Sequence, residues 1–114
     1  MRKGENTRLK SKSAVLNIEK KQEGNALTVK LAGHLDTNTA PVFEREIAPV
    51  LSEIDRLTLD LEKLDYISSA GLRVLLLFAQ EMEAQKKKME VSHVNSIIHD
   101  VFDVTGFLDI LTII

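Results

Sequence analysis

Two short segments of strict alternation, Leu27-Thr28-Val29-Lys30-Leu31 and Leu57-Thr58-Leu59-Asp60-Leu61, constrain the whole chain. Successive side chains on a strand point to opposite faces, so each segment reads as a strand with one apolar and one polar side. The stretch between them changes period. Phe43, Ile47, Val50, Leu51 and Ile54 recur at helical spacing and fall on one face. A chain passing from strand to helix and back to strand lays the two strands parallel, joined by a right-handed crossover. That points to an α/β fold before any other residue is considered.

The flanking segments extend the pattern. Leu16 and Ile18 alternate with Asn17 and Glu19, and Gly24-Asn25 punctuates, which predicts an antiparallel opening hairpin. Gly33 is expected to end the second strand. Thr37 and Thr39 are candidate caps for the first helix, and Pro41 fits a first turn, where its missing N–H costs little. Pro49 conflicts with a continuous helix, since an interior proline costs about 3 kcal/mol. A kink or a break near Ala48 is expected there, with the apolar face still inward. From Gly71 to about Lys86 runs the strongest helical pattern, with Leu72, Leu75, Leu76, Ala79 and Met82 as its apolar stripe and Arg73, Gln80, Glu81 and Lys87 toward water. Met89, Val91 and His93 suggest a fourth strand. Asn95 is placed to cap a third helix carrying Ile98, Val101 and Phe102, and Gly106 to end it in the left-handed conformation. Leu108 to Ile114 reads as a short strand or an apolar tail. The expected architecture is a mixed sheet of four to five strands with amphipathic helices, one domain over residues 14–114, without internal repeats.

Several function classes are disfavoured. Cysteine is absent, so there is neither a disulfide framework nor a thiolate metal site. The longest purely apolar run, Val74 to Ala79, falls far short of the roughly 18 residues of a membrane helix. The basic N-terminus lacks the apolar stretch of a secretory signal. A cytoplasmic protein without membrane insertion is expected. Net charge is −2, and aromatics make up only 4%, so a nucleic-acid partner is not expected. Residues 1–13 carry Arg2, Lys3, Arg8, Lys10 and Lys12 against Glu5, a local charge of +4. So polar a segment reads as a disordered basic tail, with an arm for an anionic surface as the alternative.

Catalytic patterns are likewise missing. His34, His93 and His99 show no H-x-x-x-H spacing, and neither a G-x-S-x-G elbow nor a phosphate-binding P-loop occurs. Lys86-Lys87-Lys88 reads as a solvated run complementing a helix C-terminus. No enzyme activity, metal or cofactor is expected.

The informative segment is Leu64-Asp65-Tyr66-Ile67-Ser68-Ser69-Ala70-Gly71-Leu72-Arg73, lying between a leucine-rich strand and the strongest helix. Taken alone, a serine there is first of all a cap for the free N–H groups of the first turn. The run L-D-Y-I-S-S-A-G-L-R-V-L, however, resembles the central motif of the STAS family, which includes bacterial anti-sigma-factor antagonists and the cytoplasmic tails of sulfate transporters. Gly33-His34-Leu35-Asp36-Thr37 resembles the family's G-x-L-D segment, and Phe102-Asp103-Val104-Thr105-Gly106-Phe107 its C-terminal segment. The resemblance covers the chain from about Val15 onward.

In the antagonist branch, the residue two before the motif's glycine is phosphorylated by a partner kinase. The resemblance therefore assigns that role to Ser69, with Ser68 second. Ser68 stands where an aspartate is usual, and Ala70 replaces a second hydroxyl. Asp36, Thr37, Ser68, Ser69, Leu72 and Arg73 are the implied contact residues, with simple helix capping as the other reading of Asp36 and Thr37. The implied partners are an anti-sigma factor that doubles as a serine kinase, and a serine phosphatase. The family also supplies small accessory subunits of ABC-type lipid transporters, a constitutive docking role that the missing aspartate favours.

Overall fold

The hairpin turn is where the described structure takes its first shape. The computed structural model describes residues 16–114, so the basic tail expected over residues 1–13 lies outside the described residues. Strand β1 (Leu16–Glu23) turns through Gly24 and Asn25 into β2 (Ala26–Leu35). Gly24 has a φ of +62°, a conformation that glycine supplies without steric cost at the first central position of a two-residue hairpin. The Asn25 carbonyl accepts from the N–H of Asp55 at 2.7 Å, tying the turn to the start of the next strand.

Helix α1 (Ala40–Ile47) follows, then a 3-10 stretch (Ala48–Glu53), strand β3 (Arg56–Ile67) and helix α2 (Ser69–Ala84). Strand β4 (Lys88–Ser92), helix α3 (Ser96–Thr105) and a 3-10 turn (Phe107–Asp109) complete the order. The sheet runs β1-β2-β3-β4, with β1 antiparallel to β2 and the other pairs parallel. Pro49 has the expected effect. The α-helix stops at Ile47 and the chain tightens to 3-10 geometry, yet Leu51 and Ile54 remain buried.

One sheet face holds the core. Leu27, Val29 and Leu31 of β2, Leu57, Leu59 and Leu61 of β3, and Val91 of β4 are all buried on that side. Phe43 of α1 meets Phe78 of α2 edge to face at 5.3 Å, and Ile98 and Phe102 of α3 join the same cluster. The opposite face is polar. Lys30 lies beside Asp60, and Arg56 makes a two-pronged pair with Glu90 at 3.0 Å for each contact.

Three sequence-based expectations change. Gly33 does not end β2. It takes a φ of +105° within an irregular stretch of pairing, and the strand bends and continues to Leu35. Helix α2 begins at Ser69 rather than Gly71, and its buried line runs through Gly71, Leu75, Phe78 and Met82 with Leu72 and Val74 beside it. Leu76 is only half-buried and Leu77 is exposed, because an unbroken apolar run cannot reveal which side of the helix faces the sheet. The last segment keeps to the expected short form, with the 3-10 turn and a single parallel bridge from Ile113 to Val91. Finally, Lys87 is not simply solvated. Its Nζ donates to the carbonyls of Leu51 and Ser52 at 3.0 and 3.2 Å, satisfying the end of the 3-10 stretch.

Asn95 caps α3 as expected, and it does more. Its Oδ1 accepts from the N–H of Ile98 at 3.0 Å, while its Nδ2 reaches the carbonyls of Leu61, Glu62 and Leu64 at 3.1, 3.1 and 2.8 Å. One amide thus holds the bent end of β3 against the start of α3. Asn95→Ala is expected to cost about 1–2 kcal/mol in urea unfolding. Asn95→Asp, which keeps the cap but aims a carboxylate at three carbonyl oxygens, should be at least as damaging.

Candidate functional site

The site is assembled where β2 and β3 end side by side. Leu35 pairs with Ile67, and the Leu35 carbonyl accepts from the N–H of Ser68 at 2.9 Å. The turn leaving β2 and the entry to α2 are therefore adjacent, at the carboxyl ends of two parallel strands. In open parallel sheets this is where functional loops gather.

The turn is locked by Asp36 and Thr39. Asp36 Oδ1 accepts from the N–H groups of Asn38 and Thr39 at 2.9 and 3.0 Å. The Thr39 hydroxyl in turn accepts from the N–H of Asp36 at 2.8 Å and donates to the His34 carbonyl at 2.8 Å. Such reciprocal bonding is the logic of a capping box. Of the two candidate caps, Thr39 is the N-cap residue of α1, but no side chain caps the helix: the Thr39 hydroxyl is spent on this turn, and Thr37 is exposed. Burial opposes ionisation of Asp36, but the hydrogen bonds from Thr39 and Asn38, aided by His34, outweigh it and hold the carboxyl below its ordinary value. The stability this contributes is whole above the unfolded value of about 3.9 and is lost as pH falls through the lower folded value. Asp36→Asn should therefore flatten the acid limb of a stability–pH curve, lowering stability at neutral pH and changing little at pH values below the folded pKa.

The two serines are separated in role. Ser68 is the N-cap of α2, with extended backbone and its Oγ accepting from the N–H of Gly71 at 3.4 Å. Ser69 is the first helical residue and is exposed, and no hydrogen bond from a described residue engages its hydroxyl. The capping role open to either serine in the sequence thus falls to Ser68, and Ser69 is left facing solvent. Arg73 is exposed one turn along the same helix. Leu72 is 8% exposed and belongs to the core, which corrects its placement among the contact residues. It supports the surface from beneath.

Gly71 sets how closely these parts approach. A Cβ at this position would lie 2.7 Å from the Leu35 carbonyl oxygen, 2.8 Å from Leu35 Cγ and 2.9 Å from Ile67 Cγ1. Only a residue without a side chain lets the first turn of α2 pack onto the strand ends. Sequence reasoning read Thr39, 5% exposed, only as a helix cap, and it missed the outward pair His34 and Tyr66. The signal was present in the alternation, since Leu35 and Ile67 point inward and each neighbour preceding them must point out.

Elsewhere, Asp60, Glu62 and His93 bring one potential ligand atom each within 4.8 Å of one another, a tertiary grouping that linear spacing could not reveal. Ordinary pairing accounts for it. Asp60 Oδ2 lies 3.1 Å from His93 Nδ1, and its Oδ1 accepts from the N–H of Glu62 at 3.0 Å. A cleft of about 290 Å³, lined by Ala79, Glu83, Met89 and Ile110 among others, lies toward the far end of α2 from Ser69. No helix among the described residues is long and apolar enough to cross a membrane.

The model of the STAS domain matches residues 17–114. The chain belongs to the STAS domain family. This STAS domain is 36% identical over 84 residues to BtrV of Bordetella bronchiseptica, a protein provisionally named an anti-sigma factor antagonist, covering 73% of this chain and 72% of that one. It is 28% identical over 98 residues to the anti-sigma-B factor antagonist of Bacillus subtilis strain 168, covering 86% and 90%. Among solved structures, the Bacillus anti-sigma factor antagonist SpoIIAA superposes in its unphosphorylated form with a TM-score of 0.73 at 17% identity over 87% of each chain. Its phosphorylated form superposes with a TM-score of 0.68, covering 87% of this chain and 90% of that one at 17% identity. The mixed sheet with its helices is thus the STAS fold.

Proposed function

We propose that this STAS domain is an anti-sigma-factor antagonist, a regulator that works by binding and carries out no catalysis. In its unphosphorylated form it binds an anti-sigma factor that is also a serine kinase, which frees a sigma factor. Phosphorylation of Ser69 releases it, and a serine phosphatase resets the cycle. The observation that carries this reading is the exposure of Ser69 on the first turn of α2 while Ser68 performs the capping. The names of the relatives support the partner class, and SpoIIAA, solved in both phosphorylation states, supports the kind of switch.

The physics of the switch is local. A phosphoryl group adds about −1.5 to −2 charges and three acceptor oxygens. At the first turn of a helix, the free N–H groups and the dipole favour an anion, so the domain itself should stay folded. A partner packed over Ser69 would instead have to bury that charge, and an uncompensated buried charge is strongly unfavourable. In this reading Asp36, Thr37, Ser68 and Arg73 form the remaining polar contact surface.

The test is phosphosite mapping by mass spectrometry on the protein isolated from its native host through growth and stress. Phosphate on Ser69 is expected. Its absence under all conditions would point to the constitutive docking role, as in an accessory subunit of a lipid transporter. Phosphate on Ser68 instead would contradict the assignment of roles at the start of α2.

A further inference from the structure

The polar face of the sheet ends, next to Ser69, in an aromatic pair that the switch as described does not use. His34 and Tyr66 are cross-strand partners one residue before the strand ends, and their rings meet edge to face with centroids 5.7 Å apart. Tyr66 is 49% exposed. Phe43, Phe78 and Phe102 are fully buried and Phe107 is half-buried, so Tyr66 is the one exposed Phe or Tyr among the described residues. It stands three residues before Ser69. Farther down the same face the exposed groups are charged, with Lys30 and Arg56 in view.

The backbone beneath the ring is firmly held. The His34 carbonyl receives the Thr39 hydroxyl at 2.8 Å, and the following carbonyl, of Leu35, receives the Ser68 N–H at 2.9 Å. The strand ends that fix Ser69 therefore also fix Tyr66. A tyrosine held in this way offers a large apolar area and loses little freedom on binding, and such residues dominate the centres of protein interfaces. The outer side of α2 offers a weaker alternative. Its exposed apolar residue, Leu77, lies eight residues beyond Ser69, about 12 Å along the helix.

We propose that Tyr66, steadied by its contact with His34, is the main anchor of the surface that meets the Ser69-directed protein partner, with an apolar side chain of that partner seated on its ring. This rests on the reading of Ser69 as the switch. It carries the partner's footprint across the strand ends rather than along α2.

The experiment is titration calorimetry of the anti-sigma factor that binds this protein against wild type, Tyr66→Ala, Tyr66→Phe, Leu77→Ala and Ser69→Glu, each checked by thermal melting. Tyr66→Ala should bind about 30-fold more weakly with an unchanged melting temperature, the loss expected of a hot-spot residue. Tyr66→Phe should stay within about threefold of wild type, because the ring and not the hydroxyl carries the contact. Leu77→Ala should bind as wild type does. Should Tyr66→Ala melt early, Tyr66→Gln takes its place with the same expected loss. Wild-type affinity in Tyr66→Ala alongside lost binding in Ser69→Glu would overturn the anchor and leave the switch standing. Equal weakening by Phe and Ala would overturn the apolar seat. Full binding by Ser69→Glu with weakened Tyr66→Ala would support the anchor and remove the switch.

Discussion

Ser69→Glu is expected to weaken binding to the kinase partner by about a hundredfold or more while leaving the melting temperature within a degree or two of wild type. The two halves of that expectation have one cause seen from two sides. Within the domain, the added carboxylate sits on the first turn of α2, where backbone N–H groups point outward and the dipole is positive, so the fold tolerates it. At an interface the same charge is taken out of water without a partner built for it, at a cost of about 3 kcal/mol or more. Ser69→Ala provides the counterpart. It should bind as wild type does and resist release by the kinase. Ser68→Ala separates the serines by another route, since losing the cap should lower stability by about 1 kcal/mol and weaken binding far less than Ser69→Glu does.

Gly71→Ala is expected to be the most damaging small substitution at the site. The new methyl group would stand 2.7 Å from a backbone oxygen, the Leu35 carbonyl, and that oxygen is fixed by its hydrogen bond from Ser68. Flexible side-chain motion cannot relieve such a contact, so the start of α2 must shift away from the strand ends. A loss of about 2–3 kcal/mol in urea unfolding is expected, with Gly71→Val worse. Function should suffer beyond the stability loss, because the shift moves Ser69 relative to the Asp36 turn. Partner affinity measured well below the melting temperature should therefore fall in Gly71→Ala, while a core change of similar cost, such as Phe78→Leu, should leave it nearly unchanged.

Much of this fold was legible because its parts obey local rules. Alternation marked β2 and the core of β3, Asn95 and Gly106 marked both ends of α3, and Pro49 marked the end of α1. The errors came where tertiary packing decides. Leu72 through Phe78 is nearly all apolar, so its buried line becomes visible only once α2 is laid on the sheet. Gly33 looked like a terminator, but glycine permits both a stop and a bulge, and pairing with β3 carried the strand onward. The candidate site was legible to the extent that its motif singled out Ser69. The mutual lock of Asp36 and Thr39, the clash that excludes a side chain at Gly71, and the pairing of His34 with Tyr66 all join residues through space or reciprocal bonding. Spacing alone did not announce them.

The most direct test compares the affinity of the anti-sigma factor for two samples of this one protein, unphosphorylated and fully phosphorylated on Ser69. Tight binding by the first and binding at least a hundredfold weaker by the second, with both samples equally folded, is the predicted result. Equal affinity in the two states would contradict the account at its centre.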